Sequence, residues 1–196
     1  MGRLIVCVAG MPGSGKSVFS GVAREMGIPV FVMGDVVREE AARMGLEPTP
    51  ANLSRVARML RERYGPRVVA ERTAEKMRGV EGVVVVDGVR SLEEVEVFRR
   101  LGDVEIVAVH ASPRTRFRRI LERRRPGDPR TWREFVERDM MELGFGLGSV
   151  IALADHMLVN EGGLGEFRRE ARRLLEVLRS GVREGGGGGE AYREPG

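Results

Sequence analysis

Five short apolar runs punctuate the chain: Leu4–Ala9, Pro29–Met33, Val83–Val86, Glu105–Val109 and His156–Val159. The four consecutive valines from Val83 to Val86 do not alternate with polar residues, which suits a parallel strand covered on both faces. Longer stretches with helical spacing lie between the runs, such as Leu53, Val56, Ala57 and Leu60. Their starts are well signalled. Ser91 and Glu94 form a capping box before Leu92, Val95 and Phe98. Thr49-Pro50, Ser112-Pro113 and Asp128-Pro129 each place a cap residue before a proline at the first helical position. Gly65-Pro66 ends the helix that begins at Pro50. Strands alternating with helices predict an α/β fold, a five-stranded parallel sheet with helices on both faces.

Two connections are longer than a plain crossover needs. Residues 36–78 hold about three helices between strands two and three and read as a helical acceptor-binding insert. Residues 123–138 interrupt the stretch after strand four and read as a short lid. Five consecutive glycines, Gly185 to Gly189, lie in the segment 183–196, which is expected to be a disordered tail because glycine loses so much entropy on ordering. That leaves residues 1–182 as one domain, a size that supports a real core.

Composition sharpens this only in places. Of 196 residues, 42% are hydrophobic and 32% charged, with a net charge of +4. Lys16 and Lys76 are the only lysines, so nearly every cation is an arginine, whose planar fork grips phosphate at two points. The lone Cys7 excludes an internal disulfide and a cysteine-cluster metal site. No run approaches the roughly 18 apolar residues of a membrane span. Arg3 leads straight into a strand, so a cytoplasmic protein without a membrane partner is expected. Acidic residues nearly balance the arginines, and Trp132 and two tyrosines give little for base stacking, so no nucleic-acid partner is expected.

The chemistry starts at Gly10-Met11-Pro12-Gly13-Ser14-Gly15-Lys16-Ser17, a complete G-x-x-x-x-G-K-S phosphate loop with a strand before it and a helix after it. Its backbone N–H groups and the helix N-terminus surround phosphate oxygens. Lys16 should reach the β- and γ-phosphates of ATP, and Ser17 should bind Mg²⁺. Asp87 closes the valine run at the carboxyl end of a buried strand, where it faces the ligand crevice and could share that metal. Asp35 and Arg38, three apart at a helix start, lie on one face. Arg38 could clamp an acceptor's phosphate, while Asp35 could orient or deprotonate a hydroxyl or simply cap the helix. Arg90 is a second candidate clamp. Among the arginines at 114–130, Arg119, Arg123 and Arg124 are candidates to sit over the transferring phosphate, with Arg138 a further one. The rest read as a solvated face. Asn160 and Gly162 follow the last strand, where a loop could touch adenine. The Asn-Lys-x-Asp signature for guanine is absent there, which favours ATP.

Gly34-Asp35-x-x-Arg38 resembles the acceptor-phosphate motif of adenylate kinase, and Asp87-Gly88-Val89-Arg90 resembles a shortened form of its Asp-Gly-Phe-Pro-Arg motif. Ala154–Gly162 resembles the last strand and purine loop of dephospho-CoA kinases. From about residue 4 to 180 the chain is similar to an archaeal family of P-loop nucleotide-kinase-like proteins. Its recognisable pieces are Met33–Glu40, Asp87–Val95 and Glu142-Leu143-Gly144-Phe145-Gly146. The resemblance implies a P-loop NTPase fold and transfer of the ATP γ-phosphoryl to a small phosphorylated acceptor, a nucleoside monophosphate or a dephospho-CoA-like molecule. A P-loop ATPase that couples hydrolysis to a partner or a conformational change stays open beside it.

Overall fold

The central strand decides the architecture. In this computed structural model, which describes residues 2–183, all six residues of β1 (Leu4–Ala9) are buried. Strands β2 (Val30–Val32), β3 (Val83–Asp87), β4 (Asp103–His110) and β5 (His156–Val159) complete one sheet in the order β2-β3-β1-β4-β5. Every pairing is parallel.

The two-residue period of β1 feeds two cores. Ile5, Cys7 and Ala9 point into one, with α2 (Met33–Arg43), α3 (Pro50–Tyr64), α4 (Val68–Lys76), α5 (Leu92–Arg99) and α8 (Leu147–Ala152). Leu4, Val6 and Val8 point into the other, under α1 (Lys16–Glu25) and α9 (Leu164–Arg183). The α9 face consists of Phe167, Ala171, Leu175 and Leu178, spaced one helical turn apart. Helices therefore cover both faces, as the unbroken apolar strands require. Two further helices, α6 (Pro113–Arg123) and α7 (Trp132–Gly144), are joined by an aromatic cluster. Phe117, Trp132 and Phe135 lie with ring centroids 5.1–5.4 Å apart.

The expected elements are present with shifted ends. The second strand stops at Val32 because Met33 opens α2. The third runs on to Asp87, and the fourth extends beyond its expected run by two residues at its N-terminal side and one at its C-terminal side. The expected helix start at Asp128-Pro129 is not formed. Asp128 gives its carboxylate to Arg123 and Arg138, and α7 begins three residues after Pro129 with a Thr131/Glu134 capping box. Three helices, α2 to α4, fill the region expected as an insert. The glycine-rich segment lies outside the described residues from residue 184, and Arg183 is the last residue of α9.

The connections after all five strands emerge at the carboxyl edge of the sheet, the edge where ligands sit in open parallel sheets. Phe19 is fully buried between α1 and the sheet, and it fixes the helix that starts in the glycine loop. Phe19→Ala should destabilise the protein by about 3–5 kcal/mol, as measured by urea unfolding.

Candidate functional site

Residues 10–15 turn the chain from β1 into α1 through backbone that only glycine adopts freely. Gly15 has φ 115°, and a Cβ there would lie 2.2 Å from Asn160 Nδ2. Gly10 has φ 151°, and a Cβ there would lie 2.4 Å from the Val109 carbonyl. As the N-cap of α1, Gly15 offers no side chain to cap the helix. The Lys16 and Ser17 N–H groups of the first turn are thus available to an anion, with the helix dipole behind them.

Lys16 folds back over this loop, donating to the carbonyls of Gly10 and, at 3.3 Å, Met11. Burial lowers its pKa to about 8, opposed by Asp87 and assisted by Arg90. Asp87 is buried, and Ser20 Oγ donates to it across 2.7 Å. Ser17 and Asp87 line the same cavity as Lys16. No cluster of three or more metal-ligating side chains exists among the described residues. A hydroxyl, one carboxylate and the oxygens of a bound polyphosphate are a donor set that suits Mg²⁺, which keeps several waters and seldom uses an all-protein cage.

The cavity has a volume of about 750 Å³. Gly10, Pro12, Gly13, Gly15, Lys16 and Ser17 line it at the phosphate loop, and Arg38, Arg90, Val32, Gly34 and Leu147 line it as well. Arg118, Arg119, Arg123, Arg125 and Arg138 also line it. These arginines come from α6, from the loop after it and from α7.

Some residues singled out from the sequence sit elsewhere. Asp35 is exposed and outside the lining, its carboxylate 2.6 Å from Arg38 Nη1. Arg124 ends α6 in left-handed backbone at φ 47° and does not line the cavity. Met11 packs on the core and Ser14 lies buried beneath the loop. Those two residues shape the loop without lining the cavity. Gly162 lines the cavity. Asn160 does too, but its side chain is committed. Its amide donates to the Ser14 carbonyl at 2.8 Å, and its oxygen accepts from Arg119 at 3.2 Å. Asn160 thus ties the β5 loop to the phosphate loop. The Arg119 Nη1 atom is buried in the protein without a hydrogen-bond partner among the described residues.

Three residues escaped the sequence reading. Arg116, counted there among solvated arginines, is buried. It bonds both oxygens of Asp139 and the carbonyls of Pro12 and Ala111, and it lies over the Phe135 ring. Asp128 holds Arg123 with two bonds of 2.6 and 2.7 Å and Arg138 with one of 3.0 Å. Burial pushes its pKa up, but these two arginines outweigh it and hold the carboxyl below its usual range. Glu142 accepts from Arg90 Nε at 2.7 Å and lines the cavity. Its position one turn after Arg138 was the available signal.

This geometry defines a P-loop nucleotide-binding domain with a kinase-like fold. The protein-family model described as an AAA domain matches residues 9–135. The chain belongs to the UPF0200 family. It is 68% identical over 177 residues to the UPF0200 protein of Hyperthermus butylicus, covering 90% of this chain and 95% of that one. Among solved structures it resembles a gluconokinase from Sinorhizobium meliloti 1021, with TM-score 0.54 at 21% identity, covering 91% of this chain and 95% of that one. It also resembles the shikimate kinase of Aquifex aeolicus, with TM-score 0.53 at 18% identity, covering 93% and 99%. At these identities the likeness concerns the fold. Among the described residues, no helix is long and apolar enough to cross a membrane.

Two outcomes follow. Gly15→Ala should cost about 1–3 kcal/mol of stability through its strained backbone and lower nucleotide affinity on the order of tenfold or more by displacing inward-facing N–H groups. Thermal melts and calorimetric titration measure the two effects. Secondly, Lys16 should titrate near pH 8 in the nucleotide-free protein. A polyphosphate favours its charged form, so affinity is full below that pH and falls as pH rises through it. Between pH 8 and the ordinary lysine value of 10.5, binding should take up a proton. Calorimetry in buffers of different ionisation enthalpy reads this directly, and an unshifted lysine would show no uptake at pH 8 to 9.

Proposed function

We propose that this protein is a phosphotransferase that moves the γ-phosphoryl of ATP to a small phosphorylated acceptor. The observation that carries this reading is the shared cavity. Lys16, Ser17, Asp87, Arg38, Arg90, Arg119, Arg123 and Arg138 all line it. A machine that only hydrolysed ATP would have no need of so many cationic side chains around the phosphate loop.

The backbone of residues 10–17 holds the β- and γ-phosphates. Ser17 and Asp87 would hold Mg²⁺, which neutralises charge on the phosphate oxygens. Lys16 and the arginines of α6 and α7 face the equatorial oxygens of the transferring group, where charge builds in a loose transition state. Arg38 and Arg90 hold the acceptor's own anionic group. Asp35 acts through Arg38, fixing its guanidinium. Asp128 does the same for Arg123 and Arg138. Most of the rate then comes from positioning and charge stabilisation. The folds of a gluconokinase and a shikimate kinase, both named as kinases of small molecules, agree with this reading.

The test is a screen with γ-labelled ATP across nucleoside monophosphates and other phosphorylated small molecules. Label should move to at least one acceptor, and Lys16→Ala should slow that transfer on the order of 10²–10³-fold. Saturable hydrolysis with no labelled acceptor would favour an ATPase. Transfer indifferent to Lys16→Ala would refute the site.

A further inference from the structure

The segment Glu142–Gly146 is built around Arg90. Arg90 is held on several sides: its Nε donates to Glu142 Oε2 at 2.7 Å, its Nη1 to the Gly88 carbonyl at 3.1 Å, and its backbone N–H to Glu94 Oε2 at 2.8 Å. Glu94 is fully buried and takes Arg61 on its other oxygen at 2.8 Å. Arg61 in turn lies 4.7 Å over the ring of Phe145, three residues after Glu142. Gly146, with φ 99°, turns the chain against Ser91. The network thus joins α3, α5 and the end of α7 around one residue, with α5 on the Arg90 backbone and α7 on its guanidinium.

It uses only one oxygen of Glu142. Among the described residues, Glu142 Oε1 and Arg90 Nη2 make no hydrogen bond, and neither is sealed from solvent. Both residues line the cavity. Their side chains are only 17% and 30% exposed, so this face presents a fixed acceptor atom beside a fixed donor. The other acids that line the cavity are placed differently. Asp87 is bonded to Ser20, and Glu122 is exposed on α6.

Burial pushes the Glu142 carboxyl up, but Arg90, then Lys16 and Arg138, outweigh it and keep the group ionised. A phosphate oxygen brought in as the attacking atom would meet this anion, and like charges juxtaposed in a desolvated site cost several kcal/mol. A hydroxyl would donate a hydrogen bond to it.

We propose that Glu142 faces the attacking group of the acceptor, that this group is a hydroxyl, and that the product is a phosphate ester and not a phosphoanhydride. This rests on the phosphotransferase reading above. The hydroxyl oxygen forms a bond to the γ-phosphorus. The bond from that phosphorus to the β–γ bridging oxygen breaks, and its electron pair leaves with ADP. The hydroxyl proton passes to Glu142 Oε1 and on to solvent. Arg38, which makes no ion pair with Glu142 among the described residues, holds an anionic group of the same acceptor.

The full chain is incubated with γ-labelled ATP, Mg²⁺, and a pool of nucleoside 5′-monophosphates and sugar phosphates, every member of which offers both a phosphate and hydroxyls. Phosphorus NMR of the labelled product separates esters from anhydrides, because only anhydrides show phosphorus–phosphorus coupling. Ester product is expected. Anhydride product overturns this proposal and leaves the phosphotransferase reading standing, whereas no transfer to any probe overturns that reading and this one with it. Glu142→Gln keeps the shape and an acceptor for Arg90 while removing the charge. Its kcat should fall on the order of 10²–10⁴-fold with ATP affinity and melting temperature nearly unchanged, and Glu142→Asp should recover part of the rate. Unchanged kcat in Glu142→Gln would overturn the role.

Discussion

The turn from β1 into α1 governs everything else in this protein. Gly10, Gly13 and Gly15 all adopt positive φ, and this lets backbone N–H groups gather at the start of a helix that carries no side-chain cap. Such a turn is costly to hold open, and the surrounding fold supports it from outside. Asn160 grips the Ser14 carbonyl, Arg116 grips the Pro12 carbonyl, and Lys16 bridges the carbonyls of Gly10 and Met11. Two distant parts of the chain, at Arg116 and Asn160, thus converge on one loop that Lys16 also ties from within. The contacts leave no space for a Cβ at Gly15, so the glycine there is dictated by packing as well as by φ.

A cavity made to receive polyphosphate must gather cations, and gathered cations repel one another. The structure answers with carboxylates that hold arginines in place without filling the cavity. Asp128 joins Arg123 to Arg138 across the loop between α6 and α7, and Glu142 holds Arg90. Asp139 holds Arg116, and Asp35 holds the more exposed Arg38. Each pair fixes a planar fork in one orientation, which is worth more for geometry than for net stability. Lys16 has no such ion pair among the described residues, and burial depresses its pKa, with Asp87 opposing only part of the shift.

The fold was legible because its signals are local. Unbroken valine runs specify buried parallel strands, and Ser91, Ser112 and Thr49 cap the helices they were read to cap. The kinase-like family resemblance rested on pieces that do line or border the cavity. Less legible was anything that depends on a partner distant in sequence. Asp128 reads as a cap until Arg138, ten residues on, is seen to take its charge. Arg116 reads as solvated until Asp139 and Phe135 close over it. Asn160 reads as a base contact until its distance to Ser14, 146 residues away, is known. Asp35 is the converse case. The helical spacing that put it beside Arg38 was right, and what spacing could not give was that the pair stands at the rim, with Asp35 outside the lining.

On this reading the loop at residues 10–17 and the cavity-lining Arg38, Arg90 and Arg138 form one site for one bound nucleotide and its acceptor. An amide-resolved NMR titration with a non-hydrolysable ATP analogue and Mg²⁺ tests it most directly. Signals from residues 10–17, from Gly88 to Arg90 and from the other lining arginines should shift together and saturate at one concentration. Saturable shifts confined to residues outside this cavity, with the phosphate loop unmoved, would rule the site out.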